Sequence, residues 1–308
     1  MTISKYIFAA VIGCLLGSTF IVKHTLAKDI VILNHPASEN DSRYQYSFEL
    51  MQLIMEQTKA DFGDWEITHS EVFMTRDRVL NELISGELIN VMAEAPKMGW
   101  NESLIPIKLP IRKGIQGFRV FIIKQQHYED FQKIQTLAQL KNYPTGSGSF
   151  WSTRKAMELA GFDVVVGSSY DGLFHMLERG RFTSFGRGIN EAFDELDSHT
   201  QAFPNLVLDD KVLLYIPLIT IFYVSPNQPK LAKRIETGMK RIIANGQFDQ
   251  VFYQQYCQLI HKTQLNKRVI FEIDNPLMKK DELLRMRQQG LMLSPTMNFD
   301  EVCQIYTD

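Results

Sequence analysis

The chain has only three cysteines, and Cys257 and Cys303 have no metal-ligand spacing, which argues against a zinc site. It has no excess of charge of one sign. Its 33 Lys and Arg against 35 Asp and Glu leave a formal net charge of −2, so no basic field points to nucleic acid. Neither H-E-x-x-H nor G-x-S-x-G occurs, and paired carboxylates are not evident, so a hydrolase with an unrecognised site ranks last among the readings. Internal repeats and low-complexity segments are missing too. What remains is ordinary globular composition, 45% hydrophobic and 22% charged over 308 residues, enough for one large domain or two lobes.

Only one apolar run is long enough to matter to a membrane. Lys5 precedes the uncharged stretch from Tyr6 to Val22, and Thr25-Leu26-Ala27 stands just before polar Lys28-Asp29. That order predicts a secretory signal peptide, residues 1–27, cleaved after Ala27, and hence a periplasmic protein. An uncleaved anchor, or lipidation at the Val11-Ile12-Gly13-Cys14 box, is the alternative. Cys257 and Cys303 then share an oxidising compartment and could pair, but the preferred expectation is two small buried hydrophobes.

Past the leader, Ile30–Leu33 reads as a buried strand. Apolar residues at Phe48, Met51, Ile54 and Met55 recur at helical spacing, and strands are expected at 65–73 and 89–93 with a helix at 76–84 between them. The order β-α-β-α-β implies a parallel sheet with right-handed crossovers. A second such unit spans a helix at 152–160, a strand at 164–166, a helix at 169–178, a strand at 182–185 and a helix from Glu191. Extended segments at 104–110 and 118–124 lie between the two units, and another at 212–224 follows the second. Helices at 229–245 and 248–260 follow, then a polar tail in which 281–289 is the clearest helix. The fold class is α/β: two lobes, each a mostly parallel sheet flanked by helices, joined by two extended hinge crossings. Small ligands bind such folds at the carboxyl ends of strands, near helix N-termini.

The segment Gly146-Ser147-Gly148-Ser149 invites a phosphate-loop reading, which its residues refuse. A Walker loop needs a lysine that is missing here, and a dinucleotide turn needs a third glycine where Trp151 stands. A glycine-serine turn opening a helix can still present bare N–H groups and a positive dipole end to a carboxylate or sulfate. Simple capping by Ser149 or Ser152 is the competing reading.

Several spaced patterns occur in one order: Leu137-Ala138-Gln139-Leu140, Gly146 to Ser149, Ala160-Gly161-Phe162, Leu173 to Arg181, and Leu231 to Phe252 with Ala244-Asn245-Gly246-Gln247-Phe248-Asp249. Behind a signal peptide they resemble the type II periplasmic solute-binding proteins, in the branch related to polar amino-acid binders of ABC importers. The resemblance runs from about Ile30 to Ile260. It implies a first lobe from 28–123 and 217–308, a second lobe from 124–216, and hinge closure over a small polar solute without catalysis. Gly146, Ser147, Gly148 and Ser149 would hold the solute's acidic group, and the turn from Asn34 to Ser38 would line the cleft. Two departures stand out. The family's Thr-x-x-Arg element is replaced by Ala95 to Asn101, leaving Arg112 or Arg119 as substitutes, and its amine-binding aspartate is replaced near Arg187 in Gly180 to Gly188. These departures point away from an ordinary α-amino acid and toward an acidic or uncharged solute.

Glu94, at a strand end, is the expected cleft carboxylate, with Glu191 a second choice. Arg187 is either a bidentate anion clamp or an ion-paired loop arginine, and Arg119 either a ligand contact or an interlobe salt bridge. Trp100, Trp151 and Tyr170 either stack on the solute or bury in their lobes. His35 and His175 read as core or cap histidines. No cofactor and no nucleic acid is implied. The expected partner is an ABC permease or, in a sensory variant of the same fold, a membrane sensor protein, and the expected state is a monomer.

Overall fold

A computed structural model describes residues 28–35, 42–72, 74, 76–97 and 99–307. The expected signal peptide lies outside the described residues, as do 36–38 of the expected first turn. No helix among the described residues is long and apolar enough to cross a membrane.

The chain begins with β1 (Asp29–Leu33), α1 (Ser42–Glu56), α2 (Lys59–Phe62), β2 (Trp65–His69), α3 (Arg76–Ser85), β3 (Val91–Glu94), α4 (Trp100–Ser103) and β4 (Ile105–Ile107). The middle holds β5 (Phe118–Lys124), α5 (Tyr128–Phe131), α6 (Leu137–Leu140), β6 (Thr145–Gly148), α7 (Ser152–Leu159), β7 (Val164–Gly167), α8 (Tyr170–Glu178), β8 (Ser184–Gly188) and α9 (Ile189–His199). It ends with β9 (Leu206–Leu208), β10 (Val212–Tyr215), β11 (Ile221–Val224), α10 (Pro229–Ala244), α11 (Gln247–Thr263), β12 (Val269–Glu272), α12 (Lys280–Gln288) and α13 (Phe299–Thr307).

These elements build two sheets. The first has the order β2-β1-β3-β11-β4, and the second β12-β10-β5-β8-β6-β7, with β9 also on β5. In each, a parallel core (β2-β1-β3, and β8-β6-β7) adjoins crossing strands that run antiparallel to it. The crossing strand β5 is a nearly continuous apolar run, buried along almost its whole length, as a strand covered on both faces requires. Its side chains alternate. Phe121 and Ile123 join one apolar cluster of the second sheet, and Ile122 joins the other. Phe118 and Val120 instead pack into the large cluster under the first sheet, so apolar contact is continuous between the sheets.

Local chemistry explains the helices around these sheets. In α1, Tyr46, Leu50, Met51, Ile54 and Met55 form one buried stripe. Helix α10 starts with Pro229 in its first turn and is followed by Gly246 at φ +80°, both standard boundary residues. Gly238 lets α10 lie directly on α1, since a Cβ there would sit 2.5 Å from the Ile54 carbonyl. Ser169 caps α8 by accepting from the Gly172 N–H.

Four expectations need correction. Gly146 to Gly148 is strand rather than turn, because β6 pairs with both β7 and β8. The strand expected at 182–185 is β8, shifted to 184–188 by its ladder with β5, which runs from Ser184↔Ile123 to Gly188↔Arg119. Cys257 and Cys303 form a disulfide, because α11 and α13 bring their Cα atoms to 5.5 Å. Residues 118–123 and 269–272, expected within the first lobe, are strands of the second sheet.

Candidate functional site

The carboxyl ends of β6 and β8 lie side by side, each leading into a helix. Neither glycine of β6 leaves open space for a phosphate. A Cβ at Gly146 would meet the Phe182 ring at 2.3 Å, and one at Gly148 would meet the Trp151 indole at 2.5 Å. The glycines are there so that aromatic rings can lie flat on the strand. Trp151 is then fixed as the N-cap of α7, with no side-chain cap, and stacks on Phe185 with ring centroids 5.8 Å apart. Ser149 does not cap the helix either. Its hydroxyl donates to the Gly167 carbonyl at 3.1 Å.

Arg187 sits within β8, not in a loop beyond it, and is only 4% exposed. Its Nε and Nη2 donate to the two carboxylate oxygens of Glu195, each at 2.5 Å, and Nη2 lies 3.1 Å from Glu191 Oε1. The guanidinium covers the Trp151 ring at 4.2 Å and lies 5.8 Å from the Tyr170 ring. Burial alone would lower the Arg187 pKa, but Glu191 and Glu195 outweigh it and hold the group above the ordinary arginine range. Tyr170 is pushed well above the usual phenol range, first by burial and then by Glu195.

Arg119 completes the cluster from β5. Its Nη2 donates to the Gly186 carbonyl at 2.6 Å and Nη1 to the Gln116 carbonyl at 3.2 Å, and Glu191 is 3.5 Å away. Burial draws its pKa down to about 10, partly restored by Glu191 and opposed by Arg187. Two arginines thus face two glutamates one helical turn apart on α9, and the four charges cancel. Beside them Ser147 Oγ, Gln116 Oε1 and Asn190 Oδ1 are buried and make no hydrogen bond.

No protein-family model and no curated protein matches this chain. Solved structures do. An ancestral arginine-binding protein bound to arginine has a TM-score of 0.51 at 14% identity, over 74% of this chain and 99% of that one. The structure of an ancestral arginine-binding protein bound to glutamine scores 0.51 at 13% identity, over 74% and 98%. A histidine kinase sensor domain with similarity to periplasmic binding proteins scores 0.50 at 12% identity, over 75% and 96%. The chain has the periplasmic-binding-protein fold.

In this periplasmic-binding-protein fold, Trp151, Tyr170 and Arg119 gather with Arg187 around Glu191 and Glu195, while Gly146, Ser147 and Gly148 lie in the neighbouring strand β6 and Ser149 just beyond it. The candidates of the first sheet keep partners on their own side. The Asn34 amide donates to the neighbouring His35 carbonyl at 3.4 Å. Glu94 accepts from the Ala95 N–H and pairs with Lys97 at 3.0 Å. Trp100 is buried, with Lys97 over its ring at 4.6 Å and Tyr223 edge-on at 5.3 Å. Tyr223 in turn is pushed up to about 12 by burial, with Glu94 and Glu102 adding to it. Arg112, the other substitute arginine, donates to Ser47 of α1 at 2.6 Å. His175 lines a separate concavity of about 350 Å³ with Gly172, Met176, Arg179 and Arg181.

Glu195, Phe182, Gln116 and Asn190 were not foreseen. Glu195 had a readable signal, since Glu191 and Glu195 stand four apart on a helix that starts just after Arg187. The other three depend on which strands become neighbours, and that is not written in any local pattern.

Proposed function

We propose that this chain is a periplasmic solute-binding protein, holding a small polar solute between its two sheets without chemical turnover. The observation that carries the reading is the buried, charge-balanced cluster of Arg119, Arg187, Glu191 and Glu195 under Trp151 and Tyr170, at the carboxyl ends of β6 and β8. That balance bears on the solute. An anion taking Arg187 for itself must displace a bidentate carboxylate, and breaking such a buried pair costs roughly 3–5 kcal/mol, or two to four decades in affinity. A solute without net charge pays no such cost. It can use the aromatic rings and the unpaired oxygens of Ser147, Gln116 and Asn190 instead. Delivery to an ABC importer is the role we assign. The amino-acid ligands of two structural relatives and the coverage of nearly their whole length support it.

A second reading, a sensory module reporting to a membrane protein, draws on the likeness to a histidine kinase sensor domain and on an Arg187 already held in a bidentate pair by Glu195. A thermal-shift screen of residues 28–308 against zwitterionic amino acids, carboxylates, amines and sugars tests the proposal. A net-neutral solute is expected to raise the melting temperature by mass action, about 2.7 kcal/mol of stabilisation at a hundredfold excess over Kd. Flat melting curves across the panel would count against solute capture and leave the sensory reading.

A further inference from the structure

We propose that residues 264–307 form a strap that crosses from the first lobe to the second and back, limiting how far the lobes can rotate. Two segments already link the sheets: 108–117, between β4 and β5, and 216–220, between β10 and β11. The tail adds two more. It leaves α11, which packs in the first lobe's core, and Arg268 crosses to the second sheet, donating to Thr263 O at 2.7 Å and to Asp209 O at 2.8 Å. There β12 extends the sheet, pairing in parallel with β10 from Val212↔Val269 to Tyr215↔Glu272. It then returns over the crossings themselves, and α13 is fastened to α11 by the Cys257–Cys303 disulfide.

The return path grips both original crossings. On one, the Asn275 amide donates to the Pro217 carbonyl at 2.7 Å. On the other, Leu293 N–H donates to Lys113 O at 2.9 Å, and the Lys113 ammonium donates back to the Gly290 carbonyl. That ammonium is buried, pairs with Asp249 of α11 at 2.6 Å, and lies within 6 Å of the Phe248, Phe252 and Tyr253 rings. Gly114 has φ +71° and no room for a side chain, because Met292 of the strap occupies that space. Beyond the grip, Phe299 packs edge-on against Phe118 at 5.7 Å. Among the described residues, Lys113 and Gln264 are the two non-glycine positions with left-handed φ, at 43° and 53°. One begins the strap and the other anchors its return, so the unusual backbone is concentrated where the strap is attached. Rotation of one sheet against the other must peel β12 or release Lys113, which two simple crossings would not demand.

Amide hydrogen exchange on the unliganded protein tests this, comparing wild type with two variants. Cys257→Ser/Cys303→Ser opens the clasp, and Lys113→Met removes the grip while keeping the disulfide, so the test does not depend on the cysteine variant folding. In both, exchange at the crossing amides Ile111 and Ile216, which bond Thr220 O and Gly117 O, is expected to rise roughly tenfold or more, together with a larger radius of gyration by X-ray scattering. If the amides of β12 and α13 speed up while Ile111 and Ile216 stay within about twofold of wild type, the tail is a passive appendage and the proposal fails. The comparison uses no ligand, so its outcome is independent of the solute screen.

Discussion

Glu195 determines what Arg187 is free to do. As a bidentate partner on one edge, with the Trp151 ring under the flat face, it occupies the Nε–Nη2 fork of the guanidinium. Replacing Glu195 with Gln keeps the shape and removes the charge. Glu191 still holds Arg187 at 3.1 Å, so the loss of stability should fall at the lower end for a broken buried pair, about 3 kcal/mol by urea unfolding. The same variant should bind small carboxylates better than wild type, since Arg187 then has an unspent charge. A variant as stable as wild type, with unchanged solute preference, would show that the pair is ornamental. The identity of Arg187 as an ion-paired residue was one of two readings open from the sequence. The choice between them required knowing that α9 folds back over β8, which no residue pattern near Arg187 states.

At the scale of elements, amphipathic spacing and boundary residues were the legible part. The stripe of Leu231, Ile235, Met239 and Ile242, with Pro229 before it and Gly246 after it, describes α10 closely. Three things escaped. The strand β6 reads as a turn in the sequence because glycine and serine have poor strand propensity, and the rings that require those glycines come from Trp151 and from distant Phe182. The strand β12 is four residues in a polar tail, and its partner β10 lies more than fifty residues away. The disulfide joins cysteines 46 residues apart, a separation that says nothing about geometry. A fourth feature was silent in sequence. Arg234, inside the α10 stripe, is fully buried and donates to Asp29, Thr58 and the carbonyls of Met55, Gly63 and Asp64, tying α10 to the start of the first sheet. Arg234→Met should therefore lower unfolding free energy by more than a surface change, on the order of 3 kcal/mol, because Asp29, Thr58 and the Met55, Gly63 and Asp64 carbonyls each lose a bond to one buried guanidinium. A loss under about 0.5 kcal/mol by chemical denaturation would mean that the hub is solvated in solution.

At the scale of the whole molecule, the second sheet gathers charged and aromatic groups at the carboxyl ends of β6 and β8, around Arg187. The first sheet's candidates, Asn34, Glu94 and Trp100, are committed to neighbours on their own side. The second sheet therefore carries the recognition in this account, with Trp151 at its centre. Trp65, Trp100 and Trp151 are the three tryptophans of the chain, which makes the claim directly readable by fluorescence. The decisive measurement is a titration of wild type, Trp65→Phe and Trp151→Phe with a net-neutral solute that raises the melting temperature, following tryptophan emission. Binding is expected to change the emission of wild type and Trp65→Phe alike, and in Trp151→Phe the signal should vanish while Kd rises roughly tenfold, a loss of about 1.4 kcal/mol. An undiminished signal with the wild-type Kd in Trp151→Phe would contradict the account and put the solute somewhere else.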